Sequence, residues 1–421
     1  MFFMESKLLQ VVADFPAAKL NHVLPTFSPV LVQKAPLFSC EVCVIVPVRN
    51  EAQTLVHTLK ALLHQFDLEG QRLDTKRYEV IVLLNNCSDN SADIAKSFAE
   101  QHQELELHLV EMTLPPEQAY IGRVRQILMD EAYRRLSIIG RKRGVIASTD
   151  GDSQVSPTWI AANLYEISCG ADAIGGRIIT SYDGRKKLDP YAKACFLREV
   201  GYRYLIAELE SYLDPDPFDP FPRHYQHYGA SLAVTAEMYA LAGGLPPVRT
   251  PEDVAFYHAL VRENARFRHS PLVRVTTSAR QTGRTNNGLA NQLNEWTKMG
   301  RQNQVFLVES FQAIETRLRA RHQLRKIWKG VLNGYQVTSN QVAPISDTLG
   351  IDTQWLLQEL TQPNTFGHLF EQVEQRMSDE GVWNARFMYV DIQEAIIDLR
   401  RCVERLRPHA TANAPNSLYC Q

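Results

Sequence analysis

The 421-residue chain has little that would anchor it to a lipid bilayer or to a polyanion. Its longest clean apolar stretch, near Val42–Val48, falls far short of the ~20 residues that a membrane-spanning helix needs. No basic head followed by an apolar run opens the sequence, so no export signal is read there, and a cytoplasmic location is expected. Lys plus Arg is 45 against 47 for Asp plus Glu, a net charge of -2, which disfavours a dedicated nucleic-acid binder. Seven cysteines are few, odd in number and scattered, which fits reduced thiols better than a disulfide framework. Cys40 and Cys43 form a lone CxxC with no second pair to complete a zinc site, and they are read as buried structural thiols. Three Gly-based signatures are also missing. No GxGxxG follows the first apolar strand, no GxxxxGK[ST] occurs, and no GxSxG occurs. A dinucleotide site, a P-loop and a hydrolase nucleophile elbow therefore lack support.

What is present is an alternation of short apolar runs and helical patterns. CVIVPV (43–48), YEVIVLLNN (78–86), ELHLVEM (106–112), GVIASTD (144–150) and ADAIGGRI (171–178) read as strands. Between them, residues 54–66, 91–101, 122–136 and 156–170 have helical spacing. This rhythm predicts an α/β fold with a mostly parallel sheet flanked by helices. Ligands of such sheets bind beyond the carboxyl ends of the strands, where Arg49-Asn50-Glu51, Asn85–Asp89 and Asp150-Gly151-Asp152 fall. From about residue 290 the texture turns helical. Patterns over 304–328 and 383–406 suggest a separate α-helical region, reached through a polar Gly283–Asn294 linker. The expected organisation is an extension (1–39), an α/β domain (40–290), a helical region (291–408) and a tail (409–421).

Asp150 and Asp152 place two carboxylates around one glycine just past an apolar strand. Such hard oxygen donors suit Mg²⁺ or Mn²⁺, although an isolated DxD equally fits a solvated turn. About a hundred residues later, GASLAV (229–234) reads as a strand, residues 236–242 as a short helix and Gly243-Gly244 as its stop. Glu252-Asp253 then opens another helix. Acids there suit the helix dipole, and a carboxylate there could also act as a general base.

VIVPVRNE, NNCSDNSADIA, STDGDS and the GASLAV…AGGLPP…ED block, in this order over roughly residues 40–290, resemble a GT-A glycosyltransferase of family 2. The resemblance implies transfer of a sugar from a nucleotide-diphosphate donor to an acceptor hydroxyl, with Mn²⁺ or Mg²⁺ as cofactor. It implies nucleotide contacts from Pro47, Arg49, Asn50 and Glu51, from Asp89 with Asn86 beside it, and from Arg125 of the Gly122-Arg123-Val124-Arg125 element. Asp150 would face the ribose or the metal, with Gly151 beside it, and Asp152 would hold the metal. For an inverting reaction Asp253 would be the base, with Glu252 second. Where some relatives carry a further histidine ligand, this chain offers Arg280 and Arg284, read as braces for the diphosphate; His258 and His269 are outside candidates. His224 and His227 read as surface or acceptor-pocket residues, and loop 214–222 with Tyr225 and Tyr228 as an acceptor lid. The basic run 317–329 reads as a solvated helix face or a patch for an anionic lipid or acceptor phosphate, which leaves peripheral membrane contact open. The alternatives are a retaining synthase of small glycosides such as glycosylglycerates, a nucleotidyltransferase on a similar sheet, and a non-catalytic binding module. Sugar, nucleobase, acceptor and oligomeric state are not legible.

Overall fold

A computed structural model describes residues 30–278, 288–362 and 364–413, the last six of these for backbone only. The first strand, β1 (Val42–Val48), is buried at all seven positions. Its side chains alternate between two apolar layers. Val42, Val44, Val46 and Val48 enter one, while Cys43 and Ile45 enter the other. A strand covered on both faces needs no polar alternation, which is why this run is apolar throughout.

The elements follow as α1 (Leu55–Leu63), β2 (Tyr78–Asn85), α2 (Ser91–Gln101), β3 (Leu107–Met112), α3 (Ile121–Ile138), β4 (Val145–Ser148), β5 (Ser153–Val155), α4 (Trp159–Ser168) and β6 (Ala173–Thr180). Next come α5 (Tyr182–Lys186), α6 (Pro190–Leu213), β7 (Leu232–Thr235), α7 (Ala236–Leu241), α8 (Glu252–Arg262) and β8 (Phe267–Thr277). One eight-stranded sheet has the order β3-β2-β1-β4-β7-β6-β8-β5. β3, β2, β1 and β4 run parallel, as do β6 and β8; β7 is antiparallel to both its neighbours, and β5 is antiparallel to β8. Helices α1, α2 and α4 cover one face, and α3, α7 and α8 the other. The fold class expected from the sequence is the one observed.

The helical region comprises α9 (Leu289–Arg301), β9 (Leu307–Val308), α10 (Phe311–Leu332), α11 (Ser339–Leu349), α12 (Thr353–Thr361), α13 (Phe366–Glu380), α14 (Val382–Arg386), β10 (Val390–Asp391) and α15 (Ile392–Asn413). Two expected long helices are divided here. The 304–328 pattern begins as β9, and α10 starts only after Ser310, whose hydroxyl accepts from Ala313 N at 3.3 Å. The 383–406 pattern is cut where Val390 pairs with Val308 across the small sheet. Much of the expected linker is helical, since α9 occupies 289–301 and buries Trp296. Trp383 is buried as well.

The basic run does not form an open cationic patch. Arg317 pairs with Glu309, Arg321 with Glu210 and Asp214, and Arg325 with Asp214, whose side chain is fully buried. Residues four apart share a helix face, so these three arginines turn inward together, and Arg321 and Arg325 fasten α10 to the carboxyl end of α6. A bidentate Arg262–Glu371 pair fastens α8 to α13. Among the described residues no helix is long and apolar enough to cross a membrane.

Candidate active site

The loop after β1 is knitted to the loop after β2. Asn50 lies at φ 57° and accepts from Ser88 N at 2.7 Å through Oδ1. Asn86 lies at φ 49°, and its amide bonds both backbone groups of Leu114. Asparagine tolerates this left-handed region better than most residues. Asp89 accepts from Ser91 N and Oγ on one oxygen and from Ala52 N on the other. Glu51 is buried, with its N–H donating to Ser91 Oγ at 2.7 Å and its carboxylate accepting from Thr54 Oγ1 at 2.9 Å. Pro47 lies within β1, and the exposed Arg49 reaches Ala119 O at 3.2 Å. Asn50, Glu51, Asn86 and Asp89 thus shape the two loops through internal bonds.

Gly151 sits directly under this loop. A Cβ there would lie 3.1 Å from Val48 Cγ2 and 3.2 Å from Glu51 Cγ. Its carbonyl accepts from Thr54 and Thr58 of the α1 segment. On either side stand Asp150, whose side chain is about one-third exposed, and Asp152, whose Oδ2 accepts from Ser278 Oγ at 2.6 Å.

Arg125 joins the distant acids. It is 3% exposed, not on a solvated helix face. Its Nη2 donates to Asp150 Oδ1 at 3.1 Å and its Nε to Glu252 Oε1 at 3.0 Å. Nη1 donates to Gly229 O at 2.7 Å and to Ser148 Oγ at 2.5 Å. The N–H of Gly229 in turn donates to Asp253 Oδ2 at 2.8 Å. A Cβ on Gly229 would stand 2.3 Å from the guanidinium carbon, so glycine is needed for this close approach. The sequence reading gave Arg125 a nucleotide contact; in the structure its donors are engaged by carboxylates, a carbonyl and a hydroxyl.

The electrostatics follow from one guanidinium serving several acids. Burial opposes the charge on Arg125, but Asp150, Glu252 and Asp253 together hold it more firmly protonated than usual. Burial raises the Asp150 carboxyl; Arg125 resists this, and the charges of Asp152 and Asp253 add to the rise. Burial, helped by Asp253, pushes Glu252 up to about 7 against the pull of Arg125. Glu252 therefore binds a proton more tightly when folded than when unfolded. The stability this brings is complete below its unfolded value near 4.5 and is lost as pH rises through about 7. Urea unfolding of wild type and Glu252→Gln at matched pH values should show wild type losing stability relative to the variant across that window. A constant difference would contradict the assignment.

Hard oxygen donors with an excess of negative charge fit a divalent cation. Asp150, Asp152 and the acidic pair are not packed as a tight three-ligand group; among the described residues only Cys40, Cys43 and Glu79 are. A cation at Asp152 would complete its shell mainly with phosphate and water.

Arg280 and Arg284 lie outside the described residues. His269 is not turned to the aspartates: its Nδ1 bonds Asp219 Oδ2 at 2.7 Å. Nor is the HxxH on the surface. His224 is 1% exposed and bonds Ser270 O, while His227 stacks on Tyr257 with ring centroids 3.8 Å apart. Loop 214–222 is pinned by buried Asp219, which accepts from Arg268 and from His269 N, so its middle is not shaped as a free lid. A cavity of about 260 Å³, lined by Arg177, Tyr204, Phe221 and His224 among others, flanks the segment that leads to Gly229. Sequence reasoning missed Ser148, Gly229 and Ser278. Their signal is positional, since Ser148 ends β4, Gly229 leads into β7 and Ser278 follows β8.

Residues 43–218 match the model of the glycosyl transferase family 2. The glycosyltransferase AglE of Haloferax volcanii is 24% identical over 196 residues, which is 44% of this chain and 56% of that protein; the chain thus spans little more than half of this relative. Among solved structures, S. aureus TarS 1-349 in complex with UDP-GlcNAc aligns with a TM-score of 0.40 at 12% identity, covering 82% of this chain and 92% of that one. The mannosyltransferase PcManGT from Pyrobaculum calidifontis, in complex with GDP-Man and Mn²⁺, aligns with a TM-score of 0.39 at 15% identity, covering 97% and 90%. Motifs and family model thus agree over the stretch from Cys43 to Phe218, which matches glycosyl transferase family 2.

Proposed function

We propose that this chain transfers a sugar from a nucleotide-diphosphate donor to an acceptor hydroxyl, with inversion at the anomeric carbon. The observation that carries this reading is the Arg125 bridge. It brings Asp150 and Glu252, about a hundred residues apart in sequence, onto one guanidinium. The donor side is assigned to the paired loops around Arg49, Asn50 and Asp89, and to Asp150 and Asp152. A divalent cation, Mn²⁺ or Mg²⁺, would be held by Asp152 with Asp150 nearby, and when bound it would neutralise charge on the leaving diphosphate.

The acceptor side is assigned to Asp253. Glu252 is 4% exposed and tied to Arg125, so it suits a positioning role, whereas Asp253 is partly exposed. The Gly229 N–H holds Oδ2 of Asp253 and the Val254 N–H holds its Oδ1, so the carboxylate is fixed at both oxygens and would take the proton from the attacking hydroxyl on a remaining lone pair. That hydroxyl oxygen attacks the anomeric carbon as the bond to the diphosphate breaks, so a single displacement inverts the centre. Tyr228 adjoins Gly229, and its ring lies 5.4 Å from that of His227, which stacks on Tyr257, so an aromatic cluster stands next to the Gly229–Asp253 bond and would supply an apolar surface for a sugar.

Incubation with a panel of nucleotide sugars and simple glycoside acceptors, with and without Mn²⁺, should release nucleoside diphosphate only with the cation. NMR of the first product should show inverted anomeric configuration. Retained configuration would move the reading to the retaining glycoside synthase, and cation-independent release would remove the metal role.

A further inference from the structure

We propose that Cys40, Cys43 and Glu79 form a structural zinc site at the amino-terminal edge of the sheet, separate from the carboxylate site. The sequence shows only a lone CxxC; folding supplies a third ligand from the neighbouring strand, since Cys43 on β1 pairs in register with Glu79 on β2. The two sulfurs and a Glu79 oxygen all lie within 4.8 Å of one another, and the three residues are 0%, 0% and 1% exposed. Two thiolates and a carboxylate oxygen are a donor set that zinc accepts, with one tetrahedral position left over.

The hydrogen bonding already marks where the cation would sit. Cys43 Sγ donates to Glu79 Oε1 at 2.9 Å, so a thiol proton occupies the space between sulfur and oxygen. Arg135, fully buried, donates to both Glu79 oxygens, and His108 lies 3.0 Å from Oε2. These partners orient the carboxylate without using the lone pair that faces Cys43, much as outer groups orient ligands in other metal sites. Charge also balances. The Glu79–Arg135 pair is neutral, and entry of Zn²⁺ displaces two thiol protons, which leave to solvent. The segment that covers the site is tied down as well, since Arg135 Nη1 holds Lys34 O at 2.7 Å. A bound cation would therefore clamp β1, β2 and the residue 30–40 segment together.

The test uses the full chain. Elemental analysis of protein purified without added chelator should find about one zinc per molecule. After zinc removal, Co²⁺ alone should generate a near-ultraviolet thiolate-to-cobalt band, which oxygen ligands at Asp150 and Asp152 cannot produce. Cys43→Ser should lose that band and Cys402→Ser should keep it. Because Cys43→Ser also alters a fully buried position, the wild-type band and zinc content stand as independent readouts. Zinc-free protein that gives no cobalt band overturns the proposal, and so does a Cys40–Cys43 disulfide found by mass spectrometry of unreduced chain.

Discussion

Arg125→Met should destabilise the protein by roughly 3–5 kcal/mol and remove turnover, because breaking a buried ion pair strands the partner charge. Here the stranded groups are Asp150 and Glu252, and the carbonyl of Gly229 loses its donor. Part of the loss should be recovered as pH falls, because Glu252, no longer pulled down by the arginine, takes up a proton more readily than in wild type and then needs no cation. Arg125→Lys should retain more stability than the methionine variant but little activity, since one ammonium cannot span Asp150, Glu252 and Gly229 together. Urea unfolding with parallel activity assays checks both. Full activity in the methionine variant would show that the bridge does not organise the site.

Asp253→Asn should behave differently. An asparagine oxygen can still accept from Gly229 N, but its NH2 then faces the Val254 N–H, so the fold should persist with a loss of about 1 kcal/mol. Loss of the base should lower kcat by about 10²–10⁴-fold, while donor binding stays within a few-fold of wild type. Titration calorimetry for donor binding and initial rates for transfer separate the two. Wild-type kcat in this variant would exclude Asp253 as the base and turn attention to Glu252.

The alternating half of the fold was legible because local pattern and tertiary environment agree there. β1, β2 and α2 fall almost where apolar runs and helical spacing place them. α6 escaped notice for a physical reason. Cys195, Tyr202, Leu209 and Leu213 share one buried stripe, but Leu197 is exposed and Glu208 is buried, so the apolar pattern does not stand out along the sequence. Its start was nonetheless signalled, since Asp189 caps two backbone N–H groups and Pro190 occupies the first turn. In the site, residue types pointed to the carboxylates, but partners came only with the fold. Nothing local shows that Arg125 will lie against Gly229, 104 positions away, or that Ser278 will meet Asp152. The basic run at 317–329 misled because two of its cations, Arg321 and Arg325, are matched by Asp214, more than 100 residues earlier in the chain.

The central claim is that the aspartates after β4 hold a cation on which nucleotide binding depends. Thermal unfolding of wild type and Asp152→Asn with nucleoside diphosphates, with and without Mn²⁺, tests it directly, because a ligand that binds the native state raises its melting temperature. The account predicts a nucleotide-dependent rise in wild type only when Mn²⁺ is present, and none in Asp152→Asn. An equal rise without Mn²⁺, or a Mn²⁺-dependent rise that survives in Asp152→Asn, would contradict it.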